Sequence, residues 1–406
     1  MSAILPFKAL RPAPEAASAV AAVPYDVVSR DEAQALAGDE PLSFLHVSRA
    51  EIDLPRETDP HADAVYARAA SNFAALRDRA PLVLEDTPSL YVYRLWMGEH
   101  TQTGIGGCFS VAEYDADLVK KHERTRPDKE DDRTRHIIEL RAQTGPVFLI
   151  HAPSADVAAI VARTTRAATA PLCDFTAVDG VRHTLWRIDG EDQRALIAAF
   201  GAMPALYIAD GHHRAASAAR ARQHFGGSGR AGEWDGFLAV AFPGDQTQIL
   251  PYNRVVKDLG AHTPDGLLAL LRRVVTVTSG PATPVRKGDV SMFLAGDWYT
   301  IELGLPPSGA GAAEQLDVSR LQDLVLAPLL GIGDVRTDTR IDFVGGARGT
   351  AQLESLVSSG EAAVAFSMYP VSVSDLMAIS DAGGIMPPKS TWFEPKLRDG
   401  LLSHLI

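Results

Sequence analysis

The segment Tyr207-Ile208-Ala209-Asp210-Gly211-His212-His213-Arg214-Ala215-Ala216 holds the densest chemistry in the chain. A short apolar strand runs through a glycine directly into an alanine-rich helix. A helix start leaves backbone N–H groups without partners and a partial positive charge. Gly211 permits a positive φ or a close backbone approach. Histidines and an arginine in the first turn oppose the helix dipole, an arrangement that makes sense when an anion is shared among them. Arg214 offers a planar fork that matches phosphate oxygens. The segment therefore reads as a phosphate- or nucleotide-binding turn made by Asp210, Gly211, His212, His213 and Arg214. The bland alternative is a charged helix start with two solvent-exposed histidines.

Three further segments could add to it. Lys121-His122-Glu123-Arg124-Thr125, with Arg133 further on, places a His-Glu pair in a cationic run, where it could supply a general base or a Mg²⁺ ligand. A solvated, salt-bridged surface accounts for the same residues equally well. Met386-Pro387-Pro388-Lys389-Ser390-Thr391-Trp392-Phe393-Glu394-Pro395-Lys396 is stiffened by prolines into an extended loop. Lys389 and Lys396 would give it point charges and Trp392 a flat face for a base; the alternative is a strap packing its aromatics on the core. In Pro24-Tyr25-Asp26-Val27, Asp26 could bind metal, orient a histidine or cap a turn.

Composition limits the function classes. Lys plus Arg number 39 and Asp plus Glu 51, for a net charge of −12, which argues against a duplex nucleic-acid binder and for small-molecule work. Cys108 and Cys173 form no CxxC pair, so neither a zinc ribbon nor a disulfide framework is expected. The first residues lack a basic region followed by an apolar run, and no stretch is long and apolar enough for a transmembrane helix, so a cytoplasmic location is expected. No P-loop, no GxGxxG opening a helix, no HExxH and no GxSxG is present.

The elements that must position these residues follow from patterning. Ser29 caps a short helix to Leu36. Val65, Ala69, Phe73 and Leu76 mark a helix over Ala62–Arg79, with Pro81 beyond. Ser89–Trp96 and Thr103–Val111 form strands joined by a turn at Gly98-Glu99-His100. Pro127 prevents the charged run over Lys120–Arg141 from being one straight helix. Strands follow at Pro146–Ile150, Thr184–Ile188, Leu206–Ala209, Phe237–Phe242 and Gln248–Val256, with helices at Glu191–Phe200 and His213–His224. Gly226–Arg230 reads as a flexible loop. Beyond a boundary near Gly260 come a helix over Pro264–Val274, strands at Val290–Leu294 and Trp298–Leu303, a linker at Pro306–Gly311, a helix over Val318–Leu330, and a strand–helix–strand–helix run from Arg340 to Asp381. The fold class is mixed α/β (α+β). Two domains are expected, 1–260 carrying the phosphate-binding core and a smaller α+β domain over 261–406 whose last loop folds back over the site.

Pro24-Tyr25-Asp26-Val27, His122-Glu123-x-Thr125, Ala209–Arg214, Asn253-Arg254-Val255-Val256 and Met386–Lys396, taken in this order, resemble the bacterial and archaeal family known as domain of unknown function 1015. The Asp-Gly-His-His-Arg turn is also similar to the phosphate-binding turn of the ParB/sulfiredoxin superfamily, which includes nucleotide-dependent free-serine kinases. That resemblance implies a ParB/sulfiredoxin-like core and a nucleotide or phosphoester site lined by Asp210, Gly211, His212, His213 and Arg214. In the serine kinases a carboxylate deprotonates the serine hydroxyl; Glu123 is the favoured candidate here and Asp26 the other.

The resulting expectation is a phosphotransferase or phosphohydrolase acting on a small hydroxylated amino acid or its phosphoester. Lys389, Ser390, Thr391, Trp392 and Lys396 would assist Arg214 in holding ATP or ADP. His122, His212 and His213 would join Glu123 in acid–base work. Tyr25, Asp26, Thr125, Arg133, Asn253 and Arg254 would contact substrate, and Asp210 with Glu123 would hold Mg²⁺. The alternatives are a ParB-like nucleotide switch and a non-catalytic binding protein for an anionic metabolite. Association as a homodimer is left open.

Overall fold

The computed structural model describes residues 4–79, 82–166, 168–226, 229, 231–306 and 308–406. Pro81, the greater part of the glycine tract (Gly227, Ser228, Arg230), Pro307 of the linker and residues 1–3 lie outside the described residues. The chain is mixed α/β and divides into two compact units. One comprises Met1–Thr247 together with Pro395–Ile406, and the other Gln248–Glu394. The sequence reading placed a single boundary near residue 260.

The first unit is built on a sheet that has nine strands among the described residues. Its order is Val119–Lys120, Leu206–Asp210, Val147–His151, Gly236–Pro243, His100–Ser110, Leu90–Met97, Arg182–Ile188 and Cys173–Thr176, with Ile4–Leu5 pairing beside His100–Ser110. Most pairs are antiparallel. Leu206–Asp210 runs parallel to Val119–Lys120, and Gly236–Pro243 parallel to Val147–His151. Val147–His151 is buried throughout and Gly236–Pro243 up to its last residue, as continuous apolar runs should be when both faces are covered. Phe109 packs edge-on against Phe200 at 6.0 Å within this core, and Val147, Leu149, Ile208 and Phe237 join them.

A smaller sheet in the same unit has the order Leu82–Leu84, Ala9–Pro12, Ser403–Leu405, Ala142–Gln143. The last strand of the chain is thus stitched between two earlier ones. This pairing returns residues 395–402 to the first unit.

Several helices start where side-chain chemistry sets them. Ser29 and Glu32 form a capping box at Arg30–Ala37, with the Glu32 amide donating to Ser29 Oγ at 3.2 Å and the Ser29 amide to Glu32 Oε2 at 2.8 Å. Pro127 occupies the first turn of Pro127–Leu140, where its missing N–H costs nothing. The proline that breaks the charged run is the residue that starts this helix.

In the second unit a six-stranded sheet, Thr276–Ser279, Asp297–Glu302, Asp289–Leu294, Val364–Met368, Tyr252–Val256 and Ile341–Gly345, is accompanied by the pair Gln248–Leu250 and Trp392–Glu394. The expected helix over Val318–Leu330 divides into Asp317–Leu321, a π-helical turn Gln322–Leu326 and Ala327–Leu330. Pro328 lacks an amide hydrogen and its ring crowds the preceding turn, which the wider π turn relieves.

Candidate functional site

Residues Leu206–Asp210 end in a bulge. Ile208 pairs with Leu149 and Asp210 with Phe148, so Ala209 is skipped. Such bulges bend a strand and re-aim its end. Gly211 then adopts φ 92° and ψ 31°, and the helix His212–Phe225 begins with no capping side chain. The φ at Gly211 calls for glycine, and a Cβ there would press on Arg214, 3.0 Å from both Cζ and Nε. The helix lies close to the core because Ala215, Ala216, Ala218, Ala219 and Ala221, small side chains, make up most of its buried residues.

Parallel pairing of Val119–Lys120 with Leu206–Asp210 makes the two chains leave the sheet at the same edge. His122 and His212 therefore meet, their rings edge to face at 4.5 Å. The His122 amide donates to His212 Nε2 at 3.4 Å. With Nε2 accepting, the proton of neutral His212 sits on Nδ1, which lies 3.8 Å from Glu123 Oε2. Burial pushes His122 down to about 4, against the opposing pull of the Ile208 backbone and Asp210. Burial, with His122 adding to it, also holds His212 well below the usual imidazole range. His213 is half-buried, lowered by burial, and accepts the Arg126 amide on Nε2 at 3.0 Å. Both histidines of the turn are thus neutral donors through Nδ1 at neutral pH, not imidazolium acids. Thr125 donates to Glu130 in the next helix rather than facing the turn.

Arg214 departs from the expected fork onto a ligand. Its side chain is buried, donating from Nη1 to the Pro146 carbonyl and from Nη2 to Asp210 Oδ2 at 3.2 Å, with Asp26 Oδ2 at 3.8 Å. Although burial works against the charge, Asp26, Asp210 and Asp399 hold Arg214 firmly protonated. A buried cation needs such partners. Asp210 is also paired with Lys396 at 3.5 Å. Burial raises its pKa, but Lys396 and Arg214 outweigh this and keep Asp210 ionised well below the carboxylate range.

Tyr25 and Asp26 also belong to this group, Asp26 sharing Arg214 Nη2 with Asp210. Arg133 stacks over the Tyr25 ring at 4.1 Å and donates to Asp132 at 2.8 Å. Burial raises the Tyr25 phenol, so it stays neutral. Next to them is Asp399, which the sequence reading missed. Burial, with Asp26 adding to it, pushes Asp399 up to about 7 against the pull of Arg214 and Arg133. Its only sequence signal was its place just after Lys396, beside Gly400.

Asn253, Arg254, Lys389, Ser390, Thr391 and Trp392 belong to the second unit, where most of them hold one another or nearby backbone. Asn253 Oδ1 accepts the Met368 amide at 3.0 Å. Arg254 donates to the Lys389 carbonyl at 3.2 Å, and Lys389 Nζ lies 5.4 Å from the Tyr252 ring centre. Burial brings Arg254 down to about 10. Ser390 donates to the Pro387 carbonyl at 2.6 Å, Trp392 donates to Glu394 at 2.8 Å, and Thr391 is half-buried. Lys396, the last residue of Met386–Lys396, belongs to the first unit and lies 3.5 Å from Asp210.

The carboxylates do not fit a protein-held Mg²⁺. Asp210 is compensated by two cations and Glu123 stands beside His212. Among the described residues no group of three His, Cys, Asp or Glu side chains is placed to hold a metal. No helix among them is long and apolar enough to cross a membrane.

A family described as a protein of unknown function (DUF1015) matches residues 4–319. No curated protein matches the sequence. Among solved structures the chain is similar to a free serine kinase in complex with AMP, at 12% identity, covering 73% of this chain and 91% of that one, with a TM-score of 0.36. It is also similar to SbnI with C-terminal truncation from Staphylococcus aureus, at 12% identity, 74% and 87% coverage and a TM-score of 0.37. A conserved hypothetical protein from Pyrococcus furiosus gives 13% identity, 74% and 95% coverage and 0.35. At such scores the likeness assigns no ligand or activity to this chain.

Proposed function

Because the chain belongs to the DUF1015 family of proteins of unknown function, we propose a role from its own residues: binding of a phosphate-bearing small molecule, ATP or ADP in the first instance, at the Asp210–Arg214 turn. The reaction would move a phosphoryl group to or from a small hydroxylated amino acid or its phosphoester. The observation that carries the reading is the uncapped helix start at Gly211 with His212, His213, Glu123 and Lys396 gathered about it. Backbone N–H groups of the first turn hold phosphate oxygens. Lys396 supplies a cation, and the neutral Nδ1–H of His213 a donor. Glu123, exposed and beside His212, is the base that takes the hydroxyl proton; Asp26, whose Oδ2 lies 3.8 Å from Arg214 Nη2, is the other candidate. Arg214 acts from below, by orienting Asp210 and adding positive potential.

A second reading is favoured by one observation. Arg214 is withdrawn into the protein, where it donates to the Pro146 carbonyl and pairs with Asp210. A binding protein that senses nucleotide without turnover does not need that guanidinium on the transferred phosphoryl group.

Calorimetry with ATP and with ADP, each with and without Mg²⁺, on the wild-type chain and on Lys396→Met and His213→Ala tests the site. Loss of roughly tenfold in affinity in each variant is expected, close to the 1.4 kcal/mol of one charge-assisted contact. No binding to wild type, or unchanged affinity in both variants, removes the turn as the site. Phosphorus NMR of ATP with L-serine, and of phosphoserine alone, then separates transfer from binding. Absence of turnover beside intact binding selects the second reading.

A further inference from the structure

Within the first unit, a cavity of about 40 Å³ is lined by Tyr25, Ser48, Arg133, Gly145, Arg214 and Asp399 among others. Three buried polar atoms on these residues have no hydrogen-bond partner: Ser48 Oγ, Arg214 Nε and Asp399 Oδ1. The other polar groups of the lining are largely committed. Gln143 donates to the Gly236 carbonyl at 2.9 Å and accepts the Leu238 amide at 2.7 Å. His136 Nε2 is 3.0 Å from the Val47 carbonyl, and Arg133 Nε is bound to Asp132. Buried polar atoms are nearly always paired, and three orphans around one small space call for an occupant.

The three have different capacities. A guanidinium N–H can only donate, a carboxyl group keeps an accepting oxygen whether ionised or protonated, and a serine hydroxyl does either. Their common complement is a hydroxyl group, which donates once to Asp399 and accepts from Arg214 and Ser48. Space for the approach is kept by Gly145, where a Cβ would come within 2.6 Å of Asp399 Oδ1.

We propose that this cavity is a second binding pocket, taking the hydroxyl-bearing arm of a small organic molecule with Asp399 as the acceptor of its O–H. Its standing as the acceptor subsite of a phosphoryl transfer rests on the reading above; the binding itself does not. Arg214 links the two places, since it ion-pairs with Asp210 of the turn and lines the cavity.

Saturation-transfer NMR on the full chain tests it with matched probes: L-serine against L-alanine, and glycolate against acetate. A site built to pair a hydroxyl rejects the analogue that lacks it, so at least tenfold preference for one hydroxylated probe is expected. Asp399→Leu abolishes that preference; Asp399→Asn, which keeps shape and one acceptor oxygen, weakens it severalfold. Thermal melts check that each variant folds, and Ser48→Ala decides the matter where Asp399→Leu does not fold. Equal or absent binding of all four probes overturns the pocket and leaves it a site for ordered water only. ATP binding to wild type, measured alongside, separates the two proposals. Hydroxyl preference without ATP binding keeps the pocket and sinks the turn; ATP binding without hydroxyl preference does the reverse.

Discussion

The backbone amide of His122 donates to Nε2 of His212, and this one bond fixes the proton of His212 on Nδ1, toward Glu123. Two segments 90 residues apart, already paired as neighbouring strands, are joined a second time there through a ring nitrogen. His212→Phe keeps the ring-on-ring packing but leaves a buried amide unpaired. It should cost about 1–3 kcal/mol, read from urea denaturation, with His212→Gln recovering part of the loss. Nitrogen-15 spectra should show the neutral Nδ1–H form of His212 persisting below pH 6; an imidazolium at that pH contradicts the assignment.

Acid stability follows from the buried histidines. His122 and His136 are each brought down to about 4, chiefly by burial. Their folded values lie below the unfolded value near 6.5. The stability they contribute is present above that pH and is lost as pH falls toward 4. The midpoint of urea unfolding should fall steadily over this window, and His136→Gln should flatten the fall. A flat wild-type profile from pH 7 to 5 contradicts it.

Asp399 works in the opposite sense. Its carboxyl is raised to about 7, mainly by burial, among Asp26, Arg214, Arg133 and Tyr25. A raised acid stabilises the fold below its unfolded value, and that contribution is lost as pH rises through the folded value. Asp399→Asn should leave stability near pH 4 and below little changed, and raise it relative to wild type by a margin that grows up to about pH 7 and then levels off. Equal pH slopes in the two proteins would place the carboxyl elsewhere on the scale.

Gly211 combines φ 92° with a contact of 3.0 Å to the Arg214 guanidinium for any added Cβ. Gly211→Ala should destabilise by about 1–3 kcal/mol and displace Arg214. A neutral effect in thermal melts contradicts the tight turn.

Arg214→Met removes the cation shared by Asp26 and Asp210 inside the protein. Breaking a buried pair from one side costs about 3–5 kcal/mol. The same substitution should move the Asp399 titration upward, measurable by carbon NMR of its carboxyl. An unmoved Asp399 would show that the two groups are not coupled.

Local chemistry was written in the chain. Ser29 with Glu32, Pro127, Gly211 and the apolar runs of Leu206–Ala209 and Phe237–Phe242 each act over a few residues, through a cap, a missing N–H, a permitted φ or an unbroken apolar stretch. Such effects are legible because sequence neighbours decide them. The turn at Asp210–Arg214 was legible for the same reason.

What the tertiary structure decided is which way the charges face. Arg214 looked like a ligand-facing fork, yet the return of Asp26 and the approach of Pro146 draw it inside. Asp399 became a titrating group only because Ser403–Leu405 pairs between Ala9–Pro12 and Ala142–Gln143 and carries the preceding residues back to the turn. Desolvation and Coulomb energy depend on spatial neighbours hundreds of residues away, and no local pattern encodes them.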